Sequence, residues 1–130
     1  MTVEYRIIEQ KKLVHVKMTG KVTLKEMMDH MDVLSADPGY TAPMKKIVDF
    51  RNCEDYTLTG DDEEVFARRR ISLTRVFKEE KCGILAPNDL EFGMSRVHQA
   101  LTGDYGIDTM VFRSLEETLD WLKIEKNGFS

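Results

Sequence analysis

The chain opens with two stretches in which apolar and polar residues alternate. Residues 3–9 and 13–18 are rich in β-branched and aromatic side chains, and a short polar stretch at residues 10–12 separates them. This pattern is typical of a β-hairpin. Because successive side chains of a strand point to opposite faces, one face of the second strand is predicted to carry Val14, Val16 and Met18.

Four later segments repeat apolar residues at helical spacing, and each begins with a residue that can cap a helix. The four capping residues are Thr23, Thr59, Asn88 and Ser114. Short apolar segments lie between the helices and have the character of strands buried on both faces. These strands are predicted at residues 46–50, 82–86 and 109–112.

Strands that alternate with helices after an opening hairpin predict an α/β fold. The element order is ββαβαβαβα, and the expected architecture is a mixed, mostly parallel five-stranded sheet covered by four helices. The chain has 130 residues and no Pro/Ser-rich linker, repeat or low-complexity segment. We therefore expect a single domain over residues 1–130.

The second helix carries an unusual arginine. Its apolar arc is predicted to be Leu58, Val65, Phe66, Leu73 and Val76. Arg69 projects near the middle of this arc, so it must snorkel, pair with an acid, or face a ligand or partner. Pairing or snorkelling is the favoured interpretation. Arg68 and Arg70 lie away from the centre of the arc and are expected on a solvated face.

The third helix combines a core stripe with an aromatic residue on its other side. The predicted core stripe is Leu90, Met94, Val97 and Leu101. Phe92 and Arg96 project together on the opposite side, at a spacing that allows a cation–π pair. The pair could instead border a pocket or a subunit interface, and both interpretations stay open.

Composition and charge narrow the class of protein. The chain is 42% hydrophobic and 32% charged, with a formal net charge of −4, which is typical of globular proteins and opposes non-specific binding to nucleic acid. No apolar run is long enough to span a bilayer, and the N-terminus lacks the pattern of a signal peptide. We expect a soluble, cytoplasmic protein that binds neither DNA nor RNA and has no integral membrane segment.

Few residues suggest specific chemistry. Cys53 and Cys82 lack partner cysteines at metal or redox spacing and are expected to be inert thiols. Three histidines show no paired metal-ligand spacing, so no metal or cofactor is predicted. Asp49 and Arg51 flank the predicted end of the third strand, where ligand crevices of open α/β sheets lie. The alternative is that Asp49 bonds to backbone groups of the next loop while Arg51 is solvated.

Several short motifs together resemble the SpoIIAA-like, STAS-related family of small bacterial proteins over nearly the whole chain. The motifs are Gly20-x-Val22-Thr23, Val48-Asp49-Phe50-Arg51, Phe92-Gly93-x-x-Arg96, Val111-Phe112-Arg113 and Trp121-Leu122. The resemblance implies a STAS-type fold, related in some classifications to the CRAL-TRIO or Sec14 lipid-binding domains. It implies a family whose biochemical role is largely undefined.

The resemblance also raises the question of a phosphorylation switch. Bacterial anti-sigma factor antagonists with a STAS fold carry a phosphorylated serine at the start of the second helix, and the corresponding place here is Leu58. Phosphorylation of Thr57 or Thr59 could substitute. However, the first turn of that helix is acidic at residues 61–64 and would repel a phosphate, so we do not expect such a switch.

These observations favour a non-enzymatic module that acts through protein contacts, with a homodimer expected from apolar or aromatic residues such as Phe92 and Ile71 outside the core stripes. The alternative is a carrier or sensor of a small apolar ligand or lipid, because three methionines at 27, 28 and 31 form an adaptable stripe. The residues predicted to bind a ligand or partner are Phe92, Arg96, Asp49, Arg51 and Arg69.

Overall fold

The computed structural model describes residues 2–127 and 129. The strands are β1 (Val3–Ile8), β2 (Leu13–Val22), β3 (Lys45–Tyr56), β4 (Lys81–Leu85) and β5 (Asp108–Phe112), and the helices are α1 (Leu24–Ser35), α2 (Gly60–Ser72), α3 (Asp89–Gly103) and α4 (Leu115–Leu122). A single turn of 3-10 helix joins β1 to β2. The order confirms the predicted ββαβαβαβα architecture.

The five strands lie in the sheet in the same order as in the sequence. β1 and β2 are antiparallel, and every later neighbouring pair is parallel. Because right-handed crossovers that advance in one direction place their helices on one side, α1, α2 and α3 cover the same face of the sheet. We call this the three-helix face. α4 follows the last strand and covers the opposite face of the sheet, which we call the α4 face.

Alternation along the strands supplies both cores. Val14, Val16 and Met18 lie in the larger core beneath the three helices, as predicted from their spacing. Leu13 and Ile47 belong to the smaller core, which is completed by apolar side chains of α4. Sequence neighbours therefore face different layers of the molecule.

A glycine lets α4 approach the sheet closely. A Cβ atom at Gly83 in β4 would lie 2.8 Å from Cγ2 of Thr118 and 3.3 Å from Cδ1 of Leu122. A side chain at Gly83 would therefore force α4 to shift.

β3 is longer than the apolar segment that predicted it. Backbone pairing with β2 continues past Phe50 to Tyr56, through two shifts of register. Asp49 and Arg51 therefore lie within a strand, and the prediction that they flank its end is wrong. Ladder hydrogen bonds extend the strand beyond the point where the apolar pattern stops.

The buried face of α2 differs from the predicted arc. The helix buries Glu63, Phe66, Ala67 and Arg70, whereas Val65 is exposed and Arg69 is partly exposed. The predicted arc included residues beyond Ser72, where the helix ends, and this shifted its apparent centre. Arg70 is only 4% exposed, so its expected place on a solvated face is wrong.

α3 also differs from expectation, because its buried face is polar. The helix buries Glu91, Ser95 and Thr102, while Leu90 and Val97 of the predicted core stripe are 55% and 39% exposed. The interior beneath α3 contains ionic and hydroxyl groups from neighbouring elements, and polar side chains suit that environment better than leucine does.

Among the described residues, no helix combines the length and apolar character required to cross a bilayer.

Candidate functional site

A buried ionic cluster lies on the three-helix face. Nζ of Lys46, from the start of β3, is 3.2 Å from Oε1 of Glu80, and one guanidinium nitrogen of Arg70 is 3.6 Å from the same oxygen. All three side chains are at most 5% exposed. Charges this deep in a protein persist only when partners compensate them.

Two aromatic residues complete the surroundings of the cluster. The hydroxyl of Tyr40 donates a hydrogen bond of 2.6 Å to Oε2 of Glu80. Burial and the negative charge of Glu80 raise the pKa of Tyr40, so it stays a hydroxyl donor. Lys46 and Arg70 both lie over the ring of Phe77, at 4.4 Å and 5.1 Å from its centroid. The ring therefore supplies cation–π attraction to both cations.

The cluster holds more positive than negative charge. Lys46 and Arg70 contribute two cations, and Glu80 contributes one carboxylate. One guanidinium nitrogen of Arg70, Nη1, is buried and has no hydrogen-bond partner among the described residues. Arginine has five N–H donors in a planar fork, so this nitrogen can still bind an acceptor.

Two neutral histidines stand near these cations. Burial, together with the positive charge of nearby Arg70 and Lys46, lowers the pKa of His98 to about 4. Burial and Lys46 do the same to His30, whose pKa is also about 4. Both imidazoles are therefore uncharged at neutral pH. Nδ1 of His98 is a second buried nitrogen without a hydrogen-bond partner in the described structure.

A cavity of about 50 Å³ lies beside these groups, between the sheet and the three helices. Its polar lining includes Lys46, Arg70, Glu80, Ser95 and His98. The rest of the wall is mainly aliphatic, thioether and aromatic: Val16, Met18, Met27, Met31, Val48, Phe50, Phe66 and Ile84. The cavity thus combines an apolar wall with a cationic region.

A carboxyl group with a raised pKa lines another part of the cavity. The hydroxyl of Tyr56 donates a short hydrogen bond to Oε2 of Glu63, and both residues line the cavity. Burial raises the pKa of Glu63 to about 7, although the bond from Tyr56 acts in the opposite direction. Glu63 and Arg70 stand seven residues apart on α2, which corresponds to roughly 10 Å along the helix axis. Among the described residues, Glu63 forms no ion pair with Arg70.

Asp49 and Arg51, two of the predicted binding residues, lie outside this cavity. Asp49 shares the α4 face with His15 and bonds to its Nε2 at 3.0 Å. The guanidinium and backbone N–H of Arg51 also donate to Asp49. Burial alone would raise the pKa of Asp49, but the bonds from His15 and Arg51 hold it below its ordinary value. The bond between Asp49 of β3 and His15 of β2 therefore links the two strands through buried polar groups.

The three remaining predicted residues lie on helices and also do not line the cavity. Arg69 donates to Asp32 of α1 at 2.9 Å and 2.5 Å, so pairing with an acid is confirmed. Phe92 is covered by the guanidinium of Arg113, 4.1 Å from the ring centroid. The cation over Phe92 is thus Arg113 from the end of β5 and not Arg96, which is exposed. A binding role for these residues stays a prediction.

The two threonines considered for phosphorylation both use their hydroxyl groups in the fold. Oγ1 of Thr57 donates to the backbone oxygen of Val22 at 2.8 Å. Thr59 caps α2: its hydroxyl accepts from the backbone N–H of Asp62, whose carboxylate accepts from the N–H of Thr59. A phosphate on either residue would replace an existing structural bond.

Both cysteines are buried. Burial and the nearby Glu91 carboxylate raise the pKa of Cys53 to about 11, and burial raises that of Cys82 to about 12. These thiols stay protonated and are poor nucleophiles, in agreement with the prediction of inert cysteines. Within residues 2–127 and 129, no group of three or more potential metal ligands is found.

The sequence contained a signal for only part of the buried ionic cluster and its aromatic surroundings. Lys46 begins an otherwise apolar buried strand, and a lysine there requires a partner. The predicted apolar arc of α2 is shifted relative to the buried face, so it predicts Arg70 on the solvated side although Arg70 is buried. Glu80, Tyr40 and Phe77 come from connecting segments, where periodicity gives no information about burial.

Comparisons with known proteins address the fold. Neither a protein-family profile nor a curated protein matches the sequence. The chain is similar to a solved crystal structure of an uncharacterized protein from the DUF3478 family with a SpoIIAA-like fold, from Shewanella loihica PV-4. The TM-score is 0.54 and the identity is 19%, over 92% of this chain and 91% of the other. The chain therefore has a SpoIIAA-like fold, as the resemblance of its motifs predicted.

Proposed function

We propose that the protein is a non-enzymatic binding module, which takes up a small, mainly apolar molecule in the cavity beneath α1, α2 and α3 as a carrier or sensor. The observation that carries this proposal is the cavity itself, because two of the residues that line it, Arg70 and His98, each carry a buried nitrogen atom without a hydrogen-bond partner in the described structure. Buried polar atoms in proteins nearly always have partners. A bound molecule would supply them.

The polar face of α3 supports the same proposal. Ser95 and His98 line the cavity from this helix, although its leucines and valine are partly exposed to solvent. A helix that turns its polar stripe inward leaves apolar surface in water. This lowers the free energy of unfolding by roughly 25 cal/mol for each Å² of apolar surface that stays exposed. Such local departures from the optimal pattern are expected where a fold serves binding.

The buried thiols argue against nucleophilic catalysis, and the volume of the cavity limits the size of the ligand. Because burial keeps Cys53 and Cys82 protonated, they do not favour nucleophilic catalysis. A water molecule requires roughly 10–15 Å³ of such space, so about 50 Å³ accommodates only a few heavy atoms. A small molecule fits this volume, whereas a lipid would require the helices to separate from the sheet.

Native mass spectrometry of freshly purified protein tests the proposal. We expect a reproducible bound mass that is absent from the denatured chain. A Ser95→Val variant, which narrows the cavity without changing the net charge, is expected to lose that mass. Ala100→Val, at an exposed position of the same helix, should retain it. Wild-type protein that shows only the mass of the chain in every preparation would contradict the proposal.

A second candidate function, action through protein contacts with formation of a homodimer, is favoured by the exposed apolar residues of α3. Leu90, Met94, Val97 and Leu101 recur at spacings of four and three residues, as in a helix–helix seam. Leu90 and Val97 are exposed, and the other two are partly exposed. Association of two copies through this stripe would bury them.

Analytical ultracentrifugation over a range of concentrations tests this second candidate. Dimerisation predicts a species with twice the mass of one chain, converted to monomer by the double substitution Leu90→Asp and Val97→Asp. Val33→Asp changes an exposed apolar residue on α1 and should leave the dimer intact. A wild-type monomer at all accessible concentrations would refute the homodimer.

A further inference from the structure

We propose that the cavity binds a small aliphatic carboxylate whose anionic group is held by the unpartnered guanidinium nitrogen of Arg70. This inference rests on the proposed function and specifies the chemical class of its ligand. It follows from the charge, the donors and the size of the site.

The charge of the site calls for one further negative group. Lys46 and Arg70 share the carboxylate of Glu80. Below pH 7 the other titratable groups of the lining are mainly neutral: Glu63 is protonated, and His30 and His98 are uncharged. A monoanion would balance the remaining cation. A dianion such as a phosphate monoester would add excess negative charge beside Glu80.

The donors suit a carboxylate in particular. Nη1 of Arg70 is buried and has N–H groups available for an acceptor. A carboxylate presents two acceptor oxygens, and charge-assisted bonds from arginine to carboxylate are stronger than neutral ones. His98 lines the same cavity, and its buried Nδ1 has no partner in the described structure. In the tautomer with its proton on Nδ1, His98 can donate to the second oxygen.

The walls and the volume define the rest of the ligand. Met27, Met31 and Phe66 present thioether and aromatic surfaces, which favour an alkyl group over a second polar one. A volume of about 50 Å³ corresponds to a few water-sized groups. Acids of two to four carbons therefore fit the site, and long-chain fatty acids exceed it.

Calorimetric titration with propionate and propionamide at pH 6, where Glu63 is mainly protonated and His30 and His98 are neutral, tests the inference. The two molecules have the same shape and differ in charge, so a carboxylate site should bind propionate at least about tenfold more tightly, the effect of one charge-assisted hydrogen bond. Arg70→Gln should abolish this preference, whereas Arg68→Gln, at an exposed arginine of the same helix, should preserve it.

The outcomes separate this inference from the proposed function. Equal affinities for propionate and propionamide would overturn the carboxylate assignment and leave an apolar ligand site. If neither propionate nor propionamide binds, both the carboxylate assignment and the proposed function are wrong. If Arg70→Gln does not fold, the wild-type comparison still decides the assignment, and loss of propionate binding in Ser95→Val locates it in the cavity.

Discussion

A guanidinium nitrogen of Arg70 lies 3.6 Å from Oε1 of Glu80, and both side chains are almost completely buried. The carboxylate of Glu80 also faces the ammonium group of Lys46 and accepts a hydrogen bond from Tyr40. One acid therefore holds together two cations and a hydroxyl group in the interior. The stability of the three-helix face should depend on this residue more than on either cation.

Replacement of Glu80 should be strongly destabilising. Glu80→Gln leaves Lys46 and Arg70 without a buried counter-charge, and loss of one partner from a buried ion pair costs about 3–5 kcal/mol. Urea unfolding measures the change in the free energy of unfolding. Glu79→Gln, at an exposed neighbouring position, is the control and should change it by less than about 0.5 kcal/mol. Equal effects of the two substitutions would contradict the role of Glu80.

Removal of Arg70 should cost much less than removal of Glu80. Arg70→Met leaves one cation and one carboxylate, a balanced pair, and methionine fills the space of the aliphatic stem. We expect the unfolding free energy to change by less than about 1 kcal/mol or to rise, because buried charges are often replaced by apolar groups without loss. A loss as large as that of Glu80→Gln would mean that the fold requires both cations, and would remove the argument that Arg70 is retained for a ligand.

Glu63 should make stability depend on pH. Its pKa is about 7 in the folded protein and 4.5 as an ordinary value, so between these pH values the unfolded chain releases a proton that the folded chain keeps. The contribution of Glu63 to stability therefore falls as the pH rises through this window, by up to roughly 3 kcal/mol in total.

The comparison with Glu63→Gln isolates this contribution, because the amide does not titrate and other groups are common to both proteins. The unfolding free energy of the variant relative to the wild type should rise between pH 5 and pH 8. An unchanged difference at the two pH values would show that Glu63 has an ordinary pKa.

Two glycines should respond to alanine in opposite directions. At Gly83 the new methyl group would lie 2.8 Å from the side chain of Thr118, so Gly83→Ala should destabilise the protein by about 1–3 kcal/mol. At Gly93 on α3, no described atom beyond the chain neighbours and the backbone of the same helix lies within 4 Å of the added methyl group. The substitution should therefore stabilise the helix by about 0.5–1 kcal/mol. Thermal unfolding of both variants checks this, and a loss of stability at Gly93 would indicate unrecognised packing there.

The order of elements was predictable because its signals are local. Thr23, Thr59 and Ser114 accept hydrogen bonds from helix N–H groups three residues later, and such contacts depend only on nearby sequence. The order of strands within the sheet was not predictable, because it depends on which segments pair at long range. The alternation along β2 nevertheless placed Val14, Val16 and Met18 correctly on one face.

The candidate site was missed for a physical reason. Hydrophobic periodicity assumes that the interior is apolar, and beneath α2 and α3 it contains Lys46, Arg70 and Glu80. Polar faces were therefore assigned to solvent, and the exposed stripe of α3 was assigned to the core. Where the interior contains a polar cavity, the pattern of a helix indicates the wrong orientation.

Methyl NMR of protein labelled at methionine tests most directly whether a small molecule occupies the interior cavity. Met18, Met27 and Met31 line the cavity, whereas Met28 and Met110 do not. Titration with propionate or propionamide should shift the methyl signals of the first three residues in a saturable way and leave those of Met28 and Met110 unchanged. Unchanged signals from the cavity methionines at saturating probe, or shifts confined to Met28 and Met110, would contradict the account.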